Sequence, residues 1–277
     1  MNIKTVFKNL TTYHHFLVFL IILTVMKIAN VFIVDGFEAG IHFAGLGVGL
    51  IVISSLLHLL FTKFVDKKKK YLHSLISTFL IIVMLSHADP EPVRGVLVIL
   101  LLYVAKFFVK YKRQNIFNPV VFTIAIITLL ALFVPFLGIP PMDFTGIDIR
   151  FPIMGHQVPL SLLPITLALV FNVKRIRKYP LAFSYIITSL VIGYFIGAYE
   201  QGIDIFSHII ITMFIGAAVI VEPKTSPNKQ KEQIIYGVLM AMFISGLSML
   251  NVPNSIVIGL LVSNIAYFVY KNKLFVK

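Results

Sequence analysis

The sequence predicts an all-α, polytopic membrane protein with ten transmembrane helices in two inverted five-span repeats and both termini cytoplasmic. Three observations lead there. Of 277 residues, 58% are apolar and only 13% charged, and the mean hydropathy is +0.95; a soluble domain carries roughly 25% charge. Apolar runs recur at the length a helix needs to cross hydrocarbon, about 20 residues. The loops between the runs alternate between basic and acidic.

This composition excludes a disordered chain, a coiled coil, a collagen-like fibre and an ordinary soluble enzyme. With no cysteine there is no disulfide framework, no thiol nucleophile and no cysteine-held zinc or iron–sulfur cluster. The net charge of +13 comes from Lys and Arg placed between apolar runs, which points to membrane topology and not to nucleic acid.

The runs fall at about 16–34, 41–63, 72–88, 94–110, 117–137, 159–173, 180–198, 207–221, 234–250 and 253–270. The first follows Lys4 and Lys8 and lacks a small-residue cleavage site, so it reads as a retained span. A Pro-rich turn joins the third and fourth, and the sixth and eighth are short. With the N-terminus inside, twenty of the 24 Lys and Arg residues lie on inner segments, including the run Lys67 to Lys70. Eight of the 11 acids, from Asp35 to Asp204, lie on outer ones. One span more or fewer scrambles that alternation. The location implied is the cell membrane, with lipid as a partner; the basic inner loops attract anionic headgroups.

An internal repeat divides the chain into residues 1–137 and 138–277. Asp89-Pro90-Glu91-Pro92 precedes Gly95-Val96-Leu97, and Glu222-Pro223 with Ser226-Pro227 precedes Gly237-Val238-Leu239. About one span later come Asn118-Pro119 and Pro253-Asn254. The two offsets agree within one residue, and the five intervening spans invert the second copy. Acid-Pro turns and an Asn near a span end suggest interrupted helices, whose irregular backbone survives at membrane depth only inside protein or along a cavity.

The candidate site residues sit at these breaks. Asn115 and Asn118 are three apart, which places them on one face of a helical turn, and their amides suit a polar ring edge. Asn118 followed by Pro119 also reads as a helix N-cap. Glu222, at the end of the eighth run, can bind a cation or sit in headgroup water. Asp89 is its partner in the repeat. Lys27 and Lys106 are charges within spans and so are candidates for an ion or proton pathway; Lys106, four residues from Lys110, can also snorkel. Pairings of the eight histidines for haem can be drawn, but no helix carries two at the same depth, and neither a metal-ligand spacing nor a catalytic motif is present.

In this order and topology, these landmarks resemble the NqrB/RnfD family, whose members are membrane components of the sodium-pumping NADH:quinone reductase and of the Rnf electron-transport complex. The likeness runs from about residue 72 to the C-terminus; before that only hydropathy matches. Asn115-Ile116-Phe117-Asn118-Pro119 is similar to that family's N-I-F-N-P, and Glu222-Pro223-Lys224-Thr225-Ser226-Pro227 to its T-D-P-V-T-S-P. Tyr179-Pro180-Leu181-Ala182-Phe183 and the Asp89 turn also fit. The resemblance implies electron transfer across the membrane through flavin, with Asn115, Asn118 and Thr225 near the cofactor. Where the family carries an FMN-bearing Thr, this chain has Asp143-Phe144-Thr145-Gly146-Ile147-Asp148. Asp148 has no hydroxyl to esterify, and Thr145 is a poor substitute. Noncovalent riboflavin or FMN is therefore expected over covalent FMN.

The expected role is a redox component or electron conduit and not a self-contained enzyme, with donor and acceptor on separate partner proteins. The competing reading is a channel or transporter of a small solute or ion, with an inverted-repeat architecture like that of urea transporters. A redox-inactive scaffold that docks other proteins is a third.

Overall fold

The computed structural model describes residues 11–66, 70–86, 91–111, 114–134, 150–153, 156–196, 204–222 and 225–272. Among these, helices occupy all ten of the apolar runs. They are α1 (Thr12–Val34), α2 (Phe37–Phe64), α3 (Tyr71–Met84), α4 (Pro92–Phe108), α5 (Pro119–Phe133), α6 (Leu162–Val173), α7 (Tyr179–Phe195), α8 (Ile205–Val219), α9 (Gln230–Met249) and α10 (Ser255–Asn272). By length and composition, α1, α2, α9 and α10 are long and apolar enough to cross a membrane. The last five residues of α6, Leu169–Val173, and of α8, Ile215–Val219, are π-helical.

The all-α expectation holds, with strands confined to short hairpins among the described residues. Two antiparallel hairpins are present, β1 (Lys110–Tyr111) with β2 (Gln114–Asn115), and β3 (Arg150–Ile153) with β4 (His156–Pro159). Some boundaries also move: α1 starts at Thr12 and not near 16, and α3 ends at Met84 and not at 88.

Local chemistry sets the ends. Asn118 caps α5, its side-chain oxygen accepting from the amides of Val120 (3.0 Å) and Val121 (3.5 Å), with Pro119 in the first turn. Asp204 caps α8 in the same way through Phe206 and Ser207 and pairs with Arg150 at 2.9 Å, which ties β3 to the helix start. Partial burial pushes the Asp204 carboxyl up. The Ser207 and Phe206 hydrogen bonds and the Arg150 charge outweigh this and hold it below the usual range. Between α1 and α2 the chain reverses within Asp35-Gly36, where Gly36 takes φ 94°, a conformation side-chain-bearing residues avoid.

The packing has a regular pattern. In the first five helices, α1 packs on α2 and α3, α2 on α3 and α4, and α4 on α5. In the last five, α6 packs on α7 and α8, α7 on α8 and α9, and α9 on α10. The two sets meet through α1 with α6 and α5 with α10, and α3 also touches α5.

Most helices bury a stripe and leave the rest apolar but exposed, as a lipid-facing surface would. Two segments differ. Residues 80–86, the end of α3 and just beyond, are buried on every side, and so are residues 214–221, the end of α8 and just beyond. Both helices are short: α3 has 14 residues, about 21 Å at 1.5 Å per residue. A hydrocarbon core is roughly 30 Å thick. Helices α3 and α8 therefore end inside the bundle, where their last carbonyls need partners other than water.

Candidate functional site

Those carbonyls find partners from neighbouring helices. The Lys27 side chain is wholly buried (0% exposed), and its ammonium donates to the carbonyl of Val83 at 2.9 Å and to that of Leu85. It also lies 5.5 Å from the centre of the Phe43 ring. A cation at a helix C-terminus is favoured by the helix dipole. At α8 the partner is neutral: the Asn118 amide donates to the Val219 carbonyl at 3.2 Å. Asn118 thus starts one helix and closes another.

Beside the end of α8 lies a cavity of about 150 Å³. It sits where α1 and α5 begin and α6 and α8 end. Its walls are largely apolar, with Phe16, Ile76, Leu80, Val120, Ile176 and Val221 among them. The polar lining is His73, Ser77, Lys106, Asn115, Asn118, Asn172 and Glu222, with Thr12 and Tyr13 from the start of α1. The Tyr13 and His73 rings meet edge to face at 4.4 Å. Apolar walls with a few convergent polar groups are the usual lining of a small-molecule site; sites that bury a whole drug-sized ligand run to about 300–1,000 Å³, so this cavity takes one end of such a molecule.

Of the residues nominated from sequence, Asn115, Asn118, Lys106 and Glu222 line this one cavity. Thr225 joins them through its hydroxyl, which donates to the Glu222 carboxylate at 3.3 Å. Two expectations need correcting. Asn115 and Asn118 do not share a helical turn: Asn115 is in strand β2 and Asn118 is the cap of α5. Lys106 does not snorkel; it is 4% exposed and donates to the His73 carbonyl (2.6 Å) and the Ser77 hydroxyl (3.1 Å). Lys27 stands apart, near the far end of α3. Asp89, Thr145 and Asp148 lie outside the described residues.

Sequence reasoning missed Asn172, although an Asn within the apolar run Leu169-Val170-Phe171-Asn172-Val173 was a visible signal. It also missed Lys178. This residue is buried just before α7 and donates to the carbonyls of Ser226 (3.3 Å) and Pro227 and to Asn228 Oδ1 (3.0 Å). It thereby pins the segment that follows Glu222. Burial, with a smaller contribution from the Lys271 charge, pushes its ammonium down to about 8.

Fold and site together define a helical, membrane-type protein with a cavity at the junction of its two helix sets. No model of a known protein family matches the chain, and no curated protein matches it.

Proposed function

We propose that this chain is an integral membrane component of flavin-based electron transfer, RnfD-like, working in the cell membrane with ten spans. The convergence on one cavity of Lys106, Asn115 and Asn118, from one stretch of the chain, with Glu222, more than a hundred residues later, carries this reading. The residues suit the edge and faces of a flavin ring: amides complement alternating C=O and N–H groups, and aliphatic side chains cover a flat aromatic surface. When bound, flavin supplies the electron chemistry. The chain's own residues exclude water, orient the ring edge and, through the Lys106 ammonium, favour negative charge arriving at the cavity wall. Thr225, acting through Glu222, helps hold that side of the site. Attachment is noncovalent, and the electron donor and acceptor belong to separate proteins.

Two inverted halves are supported by the packing, because five of the six neighbour pairs named above among α1 to α5, all but α3 with α5, have counterparts five helices later, and the main contacts between the halves, α1 with α6 and α5 with α10, join equivalent helices. His58 on α2 meets Ser74 on α3 at 2.9 Å, and Ser189 on α7 meets His208 on α8 at 3.4 Å. Ser74 and His208 are separated by the repeat offset seen in the sequence.

The test is a visible spectrum of the protein purified gently from its native membrane, before and after acid precipitation. The expected result is flavin absorbance that moves to the supernatant. Colour retained in the pellet would mean covalent attachment and point to Thr145. A colourless protein overturns the reading.

One observation favours a second reading, passage of a small solute. Both α3 and α8 end inside the bundle, as the interrupted helices of inverted-repeat transporters do. Colourless protein that moves solute into vesicles would select it.

A further inference from the structure

We propose that Asn172, and not Asn118, is the principal polar contact for the ring bound in the cavity, pairing its side-chain amide with a –CO–NH– edge of a planar heterocycle. The inference rests on the flavin reading of this cavity and assigns the residue that fixes the ring's orientation.

Asn118 is already committed. Its oxygen accepts two backbone amides of α5 and its nitrogen donates to Val219. Little hydrogen-bonding capacity remains for a ligand. Asn172 is the reverse case. It lines the cavity, is 5% exposed, and its side chain has no hydrogen-bond partner among the described residues. Its amide atoms face the cavity and keep their hydrogen-bonding capacity for whatever enters it.

The backbone around Asn172 is also unusual. Its π-helical segment packs on the π-helical end of α8, which contributes Ala217 and Ala218 to the same cavity. Single π turns inside α-helices are frequent at functional sites, since the widened turn re-aims side chains. Here both π segments of the described residues meet at one cavity. Ala217 and Ala218 line the same cavity with small side chains.

The experiment measures riboflavin binding to the detergent-purified full chain, by fluorescence quenching and by the position of the visible band. Wild type is compared with N172L and N172Q. The expected result is that N172L weakens riboflavin binding about tenfold or more, the effect of removing a hydrogen bond to a buried group. N172Q recovers part of this. Ligand-free N172L is expected to unfold no lower than wild type, because an unpartnered amide has been replaced by an apolar side chain. A merely structural Asn172 would give a lower unfolding temperature. Wild-type affinity in N172L overturns the inference and leaves the flavin reading intact. Absence of riboflavin binding by wild type overturns both.

Discussion

The two halves of the molecule share a wiring scheme but solve its contacts differently. In both, the glycine of a Gly-Val-Leu sequence faces the helix two earlier. A Cβ at Gly95 of α4 would meet the tips of Leu50 and Leu46 at 3.2 and 3.3 Å. A Cβ at Gly237 of α9 would meet Ser184 Oγ at 2.1 Å, the Leu181 carbonyl at 2.8 Å and the Tyr185 amide at 3.0 Å. The first half is thus spaced by movable side chains, and the second by backbone against backbone. The interrupted helices differ as well: α3 ends on a cation, α8 on an amide. Shared topology constrains which helices touch, while the chemistry at each contact is free to diverge.

The largest expected effect comes from closing the tight contact. Gly237→Leu should prevent folding, read as loss of monodisperse protein in detergent. Gly237→Ala should destabilise by about 1–3 kcal/mol as backbone shifts. Gly95→Ala should be near neutral, since leucine tips can move and a helical glycine is itself unfavourable by about 0.5–1 kcal/mol. Equal losses at the two positions in thermal unfolding would erase the contrast.

Next come the two helix ends. Lys27→Met removes the donor to Val83 and Leu85 and should destabilise by about 1–3 kcal/mol. Asn118→Ala loses a helix cap and the Val219 bond, for about 1–2 kcal/mol. If Lys27→Met raised the unfolding temperature, burial of the charge would outweigh its hydrogen bonds.

The smallest effect is a pH slope. The Lys178 ammonium is held near 8, below its ordinary 10.5. The folded state therefore binds this proton more weakly than the unfolded chain. The associated penalty is fully present below pH 8 and is relieved between about 8 and 10.5, so stability should rise with pH across that window. Lys178→Met should flatten this part of the unfolding-temperature profile; an unchanged slope would assign it to another group.

Much of the fold was legible because long apolar runs at membrane length leave little choice of structure. The Asn118 cap was legible too, since Asn-Pro before an apolar run carries its own mechanism. The π segments were not. Leu-Val-Phe-Asn-Val holds no breaker and Ile-Gly-Ala-Ala-Val only the isolated Gly216, which a helix tolerates, so neither run announces its widened turn. Asn115 was misplaced because three-residue spacing implies a shared face only if the backbone is helical, and Asn115 is in a hairpin. Lys106 was ambiguous because its target, a carbonyl and a hydroxyl of α3, belongs to another part of the chain.

Lys27 also gives the interior an electrical bias. Its ammonium is sealed from solvent, so no counter-ions screen it. At about 10 Å, with an effective dielectric constant of 20, such a charge is felt at about 1.7 kcal/mol. Whatever is charged near the end of α3 is thus felt through protein at a range that mobile salt in the surrounding water does not shorten.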